Sequence, residues 1–341
     1  MKSLTISRFG GPEVLAIVEA PDPRPRPGEV RIRVERAGLN FSDIATRVGL
    51  NPDAPPPPSV AGYEVSGAVD VLGEGVSSFR PGDRVLALTR FGGQADRVVT
   101  PEASVFRMPE SMSLEQAAAL PVTYLTAFHI LFHVHALRPR EKVLIHMGGG
   151  GVGRAAIELC RLREGVEIFG TASAPKHPAL LEWGVHHPID YRSTDYAEVV
   201  KRLTSGRGVD LVLDPLGGPD TGKSYGLLAP VGHIVCFGWA NMVSGSRRNY
   251  LRMAAQIARI KRFSPLSLMD HNRTVSGVNI GHLWGEVDLL RGHMLRLLEL
   301  FEQGRIAPHV DRVFPLSKGA DAHRYMQDRK NVGKILFDCT R

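Results

Sequence analysis

Cysteine is scarce in this chain: Cys160, Cys236 and Cys339 are the only three, far apart and odd in number. That pattern excludes a disulfide framework and fits a reducing, cytoplasmic setting. An apolar leader is lacking as well. Met1-Lys2-Ser3-Leu4 runs straight into an amphipathic strand pattern, so no secretory signal is expected. The most apolar helical stretch, Leu114 to Leu137, contains Pro121 and three histidines, and it reads as core rather than as a membrane span. No module of interleaved basic and aromatic residues is visible, so no nucleic-acid partner is expected despite a net charge of +7. The positive balance fits a soluble basic enzyme. Two sharper uses stay open, the steering of an anionic cofactor and weak contact with an anionic membrane surface.

What is present is enough for two domains. The chain has 341 residues, 43% hydrophobic and 23% charged, an ordinary globular balance but long for one core. Residues 1–110 read as short strands (Leu4–Ser7, Val30–Ala37, Gly67–Val71, Arg84–Leu88, Gln94–Thr100) separated by turns such as Pro27-Gly28 and Pro81-Gly82-Asp83. Pro55 to Pro58 must be extended. This part predicts a partly open β-barrel with few helices. From Ser113, a cap residue, the period changes to helix, with Pro121 kinking or restarting it. Strand and helix then alternate through Val143–His146, Val152–Arg163, Val166–Thr171, Pro178–Trp183, His187–Asp190, Tyr196–Thr204, Val209–Leu213, His233–Phe237 and Val275–Ile280. That alternation predicts an α/β fold with a doubly wound parallel sheet over residues 122–280. The tail, with a helix at Glu286–Gln303 and strands at Val310–Phe314 and Lys334–Phe337, is expected to rejoin the barrel. The domain 1–121 plus 281–341 is therefore discontinuous, with a cleft expected between the two domains.

The most informative segment is Lys142 to Arg163. A short apolar strand, Val143-Leu144-Ile145, leads into Gly148, Gly149, Gly150, Gly151, Val152 and Gly153, and a helix follows. A phosphate bound there meets backbone N–H groups at the positive end of a helix, and the glycines let the backbone come close. The strand before and the helix after give the motif its weight. An acid at the end of the second strand accepts ribose hydroxyls in NAD-binding folds. Here Glu167 stands at the start of that strand and no acid at its end, where Ser173 and Lys176 follow. A hydroxyl and an ammonium suit a 2′-phosphate, which favours NADPH over NADH. Tyr191, after the third strand, is placed to close over the adenosine-phosphate end, or simply to pack. Phe237 and Gly238 end a strand at its carboxyl edge, where a nicotinamide is expected.

Asn40-Phe41-Ser42-Asp43, Gly62-Tyr63-Glu64, the Gly148–Gly153 loop and Asn331-Val332-Gly333-Lys334 follow one another in an order and spacing that resemble the medium-chain dehydrogenase/reductase superfamily. Within it the chain is similar to the zinc-independent quinone oxidoreductase branch. The resemblance implies a Rossmann sheet inserted into a GroES-like catalytic domain, and a homodimer joined through edge strands such as Val275–Ile280. It places Thr126 beside the nicotinamide and Asn331 on a loop that reaches the ring from the other domain. In the zinc alcohol dehydrogenases of this superfamily a cysteine stands at the position of Asn40, a histidine at Tyr63, and a further cysteine near Val122. None of these offers a zinc ligand here, so no metal is expected. His129 and His133, spaced i, i+4, raise a metal alternative, but no acid is near in sequence and they read as core or helix-edge residues.

Without a Lewis acid the expected substrates are electron-poor: a quinone, or an α,β-unsaturated carbonyl taking hydride at its β-carbon. Asn40 offers an amide N–H, and Tyr63 a phenol able to donate and protonate. Asp43 is expected to orient Asn40 or to pair with Arg47. Many relatives carry a tyrosine after the Gly-Leu that follows the Asn-x-x-Asp segment. Here Asn51 follows Gly49-Leu50, which places quinone reduction ahead of enone reduction. An enoyl thioester from a fatty-acid or polyketide pathway is a further candidate acceptor. A competing reading comes from residues 247–262, a basic and partly amphipathic stretch that predicts a helix over about Arg248 to Arg262. Leu251, Ala254, Ala255, Ala258 and Phe263 can share one side, with Arg247, Arg248 and Arg252 elsewhere. Such a helix packs on the sheet or lies on an anionic lipid surface, the latter giving a lipid-binding or scaffold protein.

Overall fold

The computed structural model describes residues 1–243 and 250–340. In them the chain divides into two units, 1–125 with 283–340, and 126–243 with 250–282. Elements are numbered in chain order.

The first unit is built from short antiparallel strands. β1 (Lys2–Ile6) pairs with β2 (Leu15–Glu19) and β4 (Ser59–Val60). The long β3 (Glu29–Leu39) lies at the centre of a second sheet, flanked by β5 (Glu64–Leu72) and by β16 (Lys334–Asp338). β6 (Arg84–Leu88), β8 (Val105–Arg107) and β15 (Val310–Pro315) extend that sheet, and β7 (Arg97–Pro101) pairs with β3. Alternation places Val30, Ile32, Val34, Val65, Val85 and Phe337 in one core. β2, β8 and the helix α1 (Phe41–Val48) lie outside the elements expected from the sequence. α1 has ordinary helix signals: an Asn40 N-cap, Asp43 at N3, and Gly49 at φ +70° as the left-handed C-terminal stop. In the proline run the Pro57–Pro58 bond is cis. α2 (Leu114–Ala119) opens on Ser113, whose hydroxyl accepts the Gln116 N–H, and Pro121 restarts the helix as α3 (Pro121–Phe128). α10 (Val287–Glu302) and α11 (Gly319–Gln327) complete the unit.

The second unit is a parallel sheet. Its strands are β9 (Lys142–Ile145), β10 (Glu167–Ala172), β11 (His187–Asp190), β12 (Val209–Asp214), β13 (Leu228–Cys236) and β14 (Thr274–Gly277). Among the described residues their order is β11-β10-β9-β12-β13-β14. Numbered from β9, that is 3-2-1-4-5-6, the order of a doubly wound dinucleotide-binding sheet, with the switch point between β9 and β12. The helices are α4 (Gly151–Cys160), α5 (His177–Glu182), α6 (Tyr196–Leu203), α7 (Pro219–Tyr225), α8 (Tyr250–Ala258) and α9 (Pro265–His271). Leu144, Phe169, Val212, Ile234, Val200 and Tyr225 share its core. β13 starts five residues before the expected His233, because an irregular register and Val231 at φ +59° break the alternating pattern there.

The basic stretch differs from expectation. The helix covers Tyr250–Ala258 rather than Arg248 to Arg262, and α9 follows a short link. Arg247, Arg248 and the side chains of Leu251 and Arg252 lie outside the described residues. Ala254, Ala255 and Ala258 are exposed, as are Ile257, Leu266 and Met269, while Phe263 packs against Tyr225 at 4.9 Å between ring centroids. Among the described residues no helix is long and apolar enough to cross a membrane.

His135 and His233 form a buried pair, Nδ1 to Nδ1 at 3.2 Å. His135 Nε2 meets Glu141 Oε2 at 2.9 Å, and His233 Nε2 meets Ser276 Oγ of β14 at 2.7 Å. Burial, with His135 beside it, pushes the His233 pKa down to about 4. The unfolded chain therefore binds a proton that the folded chain refuses between pH 6.5 and 4, and stability falls as the pH drops through that window. Between pH 7 and pH 4.5 this one residue accounts for a loss of about 2–3 kcal/mol. Urea titrations at the two pH values should show the loss shrinking by that amount in His233→Gln.

Candidate functional site

Three strands bring one polar cluster together in the first unit. β3 ends at Leu39 beside Ile335 of β16, and its residue Ala37 faces Val65 of β5. The next residues along, Asn40, Lys334 and Glu64, therefore meet at one end of the sheet. Asn40 Nδ2 donates to Glu64 Oε1 at 2.8 Å, and the Lys334 ammonium donates to Asn40 Oδ1 at 2.6 Å while pairing with Glu64 Oε1. The other Glu64 oxygen accepts the Val122 N–H at 2.7 Å, in the first turn of α3, where the helix dipole favours a carboxylate. Glu64 is fully buried and Lys334 nearly so. Both amide atoms of Asn40 are thus held, and one amide hydrogen is left to donate. The sequence pattern missed Glu64 and Lys334 as site residues. Each lies inside a quoted motif, but 294 positions separate Lys334 from Asn40 and only the strand pairing shows the ion pair.

Asp43, at N3 of α1, accepts the N–H of Asn40 at 2.7 Å and that of Gly62 at 3.0 Å. It fixes the backbones on which Asn40 and Tyr63 stand. Burial raises its pKa to about 7 against these hydrogen bonds. The alternative expectation of an Asp43–Arg47 pair is corrected. Arg47 lies one turn further along α1 and donates to Gly10 O at 3.2 Å and Gln327 Oε1 at 2.6 Å. The Tyr63 hydroxyl accepts from Asn51 Nδ2 at 2.8 Å, and Asn51 also donates to Thr46 Oγ1 at 3.0 Å. Burial, then the nearby Asp43, pushes the phenol pKa well up, so Tyr63 holds its proton at neutral pH. The ring packs against Phe91, with centroids 5.3 Å apart. Asn331, in the loop before β16, is buried and donates to Gly333 O at 2.9 Å.

In the second unit the glycine segment follows β9 at the switch point. Gly151, Val152 and Gly153 are the first three residues of α4, and their N–H groups have no intrahelical partner by geometry. Gly148 N–H donates to Thr171 O at 2.9 Å and Gly150 N–H to Met147 O at 2.8 Å, which fixes the turn. A Cβ at Gly153 would stand 2.5 Å from Met147 O and 2.7 Å from Gly148 Cα, so only glycine lets the helix start there. Ser173, directly after β10, is buried, and its carbonyl accepts the Lys176 N–H at 2.9 Å. That turn folds Lys176 back so that its Cδ lies 2.8 Å from where a Gly149 Cβ would be. Lys176 therefore lies against the glycine turn at Gly149, with Ser173 at the start of the turn that brings it there. Tyr191 follows β11, is exposed, and has Arg192 5.9 Å from its ring centroid. Phe237 and Gly238 follow β13, two strands to the other side of β9, with Phe237 N–H on Asp214 O at 2.9 Å. Thr126 is buried on α3. His129 and His133 stack at 4.8 Å on the π-helical turn His129–Val134, and among the described residues no group of three His, Cys, Asp or Glu side chains is placed to hold a metal.

A parallel sheet in this order, joined in sequence to a barrel-like unit with a polar cluster at its strand ends, defines an oxidoreductase architecture. Residues 26–110 match the alcohol dehydrogenase GroES-like domain family and residues 183–336 the zinc-binding dehydrogenase family. The chain belongs to the medium-chain dehydrogenase/reductase superfamily, among oxidoreductases of the quinone oxidoreductase type. It is 46% identical over 339 residues to the human synaptic vesicle membrane protein VAT-1 homolog, covering 99% of this chain and 86% of that protein. The crystal structure of the human VAT-1 homolog-like protein is 34% identical, with a TM-score of 0.87 over 100% of this chain and 98% of that one. The Escherichia coli quinone oxidoreductase complexed with NADPH is 27% identical, with a TM-score of 0.87 over 99% of this chain and 100% of that one.

Proposed function

We propose that this protein is a zinc-independent, NADPH-dependent reductase of quinones and, less readily, of α,β-unsaturated carbonyls. The observation that carries the reading is Lys176 folded over the glycine turn, beside a strand end that offers Ser173 and no acid. A 2′-phosphate suits this ammonium and hydroxyl, and the ribose-binding acid of an NAD site has no counterpart. The E. coli relative crystallised with NADPH adds support. Zinc does not fit the polar cluster. Asn40 Oδ1 already accepts an ammonium, and Tyr63 keeps its proton.

When bound, NADPH supplies the hydride. The N–H groups of Gly151, Val152 and Gly153, at the positive end of α4, would hold its phosphates. Asn40, its amide plane set by Glu64 and Lys334, presents its remaining N–H to the acceptor oxygen as charge develops there. Asn51 donates to the Tyr63 oxygen and so leaves the phenol proton for the acceptor. Asp43, buried and bonded to two backbone N–H groups, positions this pair. Tyr63→Phe should lower kcat about hundredfold or more for an enone and less for a quinone, whose reduction needs less help from an acid. Steady-state rates on both acceptors check this.

Cofactor choice tests the reading as a whole. Loss of one charge-assisted contact in Lys176→Ala should weaken NADPH binding about tenfold or more while leaving NADH binding nearly unchanged. Equal affinities of wild type and variant for NADPH would remove the assignment.

A further inference from the structure

The second unit has a line of hydrogen-bonded polar side chains, buried along most of its length, that starts at the glycine turn. His146, directly after β9, is 1% exposed. Its Nδ1 lies 3.1 Å from Thr171 Oγ1 and its Nε2 lies 2.9 Å from Ser224 Oγ. Ser224 Oγ is 3.3 Å from the Tyr196 hydroxyl, which is 3.1 Å from Asp220 Oδ1. At one end, Thr171 Oγ1 accepts the N–H of Met147 at 3.2 Å. Met147, at φ +53°, begins the glycine turn. At the other end, Asp220 Oδ2 accepts from Asn241 Nδ2 at 2.8 Å, and Asn241 also donates to Gly217 O at 3.2 Å. Asn241 belongs to the segment that follows Phe237 and Gly238. Ser224 and Asp220 both stand on α7, which spans from one segment to the other.

The direction of every bond follows from the last acceptor. A carboxylate only accepts, so the Tyr196 O–H donates to Asp220. Each hydroxyl has one proton, so Tyr196 accepts from Ser224, and Ser224 accepts the N–H on His146 Nε2. Burial holds His146 below its ordinary pKa and hence neutral. Its Nδ1 is then an acceptor, and the Thr171 O–H points to it. The Thr171 oxygen is left facing the Met147 N–H. The bonds all run one way, from the glycine turn to Asp220, and bonds in such a chain polarise one another.

We infer that His146 is the central positioning residue of a hydrogen-bond relay, Met147–Thr171–His146–Ser224–Tyr196–Asp220–Asn241, that orders the glycine turn and the segment 237–242 as one unit. The glycine turn and the segment after β13 would meet the phosphates and the nicotinamide, so the relay would make both available together. That joint availability rests on the NADPH reading; the coupling itself does not.

Hydrogen exchange on the full chain without cofactor tests the coupling. Ser224→Ala removes the middle link with a small change in volume. Exchange should quicken about tenfold or more at 147–150 and at 237–242, and change less than about twofold at Val209–Leu213 of β12. His146→Leu should do the same, and His146→Gln, which keeps one donor and one acceptor, should restore slow exchange in both segments. Either segment staying within about twofold of wild type in Ser224→Ala, or β12 opening along with them, overturns the relay. A parallel NADPH titration separates the two claims. Wild-type protein that binds no NADPH ends the functional reading, while the exchange pattern still decides the coupling.

Discussion

Lys334→Met should lower the unfolding free energy by about 3–5 kcal/mol, because it leaves the Glu64 carboxylate buried and uncompensated. The ammonium also holds Asn40 Oδ1, so the same change leaves an amide oxygen without its donor. Surface ion pairs are worth little, but this one has 4% and 0% side-chain exposure, and water cannot replace the lost partner. Glu64→Gln in the same chain removes the stranded charge and keeps an oxygen for the Val122 N–H. The double variant should therefore recover roughly half of the loss. Urea denaturation of wild type, single and double variants measures both quantities. A Lys334→Met protein as stable as wild type would show that the cluster holds no buried ion pair.

Gly153→Val should weaken NADPH binding roughly ten- to hundredfold, the range expected for losing one or more charge-assisted backbone contacts. The atoms that a side chain meets here are backbone, Met147 O and Gly148 Cα, which do not swing aside as a long side chain would. The start of α4 must move, and with it the N–H groups proposed to hold the phosphates. Overpacking of this kind also costs stability, about 1–3 kcal/mol. The contrast is Gly149→Ala, whose Cβ meets the flexible Lys176 side chain, so it should bind NADPH more tightly than Gly153→Val. Calorimetric titration of the two variants checks the order.

Much of the second unit was legible in the sequence because its signals are local. Apolar runs of four to six residues, bounded by glycine, gave the parallel strands, and β11 falls on His187–Asp190 as read. The helix α7 was missed although Pro219 follows two glycines, a recognisable start signal, because its seven residues carry too little apolar periodicity. α1 was missed for a related reason. Its Asn40 and Asp43 were read for their chemistry, and the same two residues are a helix-capping pattern. At the site, the resemblance to the zinc alcohol dehydrogenases pointed to Asn40 and Tyr63, which stand where those enzymes carry zinc ligands. It did not point to Glu64 and Lys334, whose meaning depends on β5, β3 and β16 lying side by side. Nor did it show Asn51 as the partner of Tyr63, a contact made by side chains twelve positions apart through the turn after α1. Long-range pairing, rather than composition or period, decides these contacts.

The central claim is that reduced, phosphorylated nicotinamide delivers hydride here without a metal ion. Absorbance of NADPH, followed with a quinone in protein stripped by a chelator and assayed for residual zinc, tests it most directly. The expected result is quinone-dependent NADPH oxidation at the same rate before and after chelation, with NADH much the poorer donor. Activity that disappears on chelation and returns with zinc, or no oxidation of either nucleotide with any quinone or enone, would contradict it.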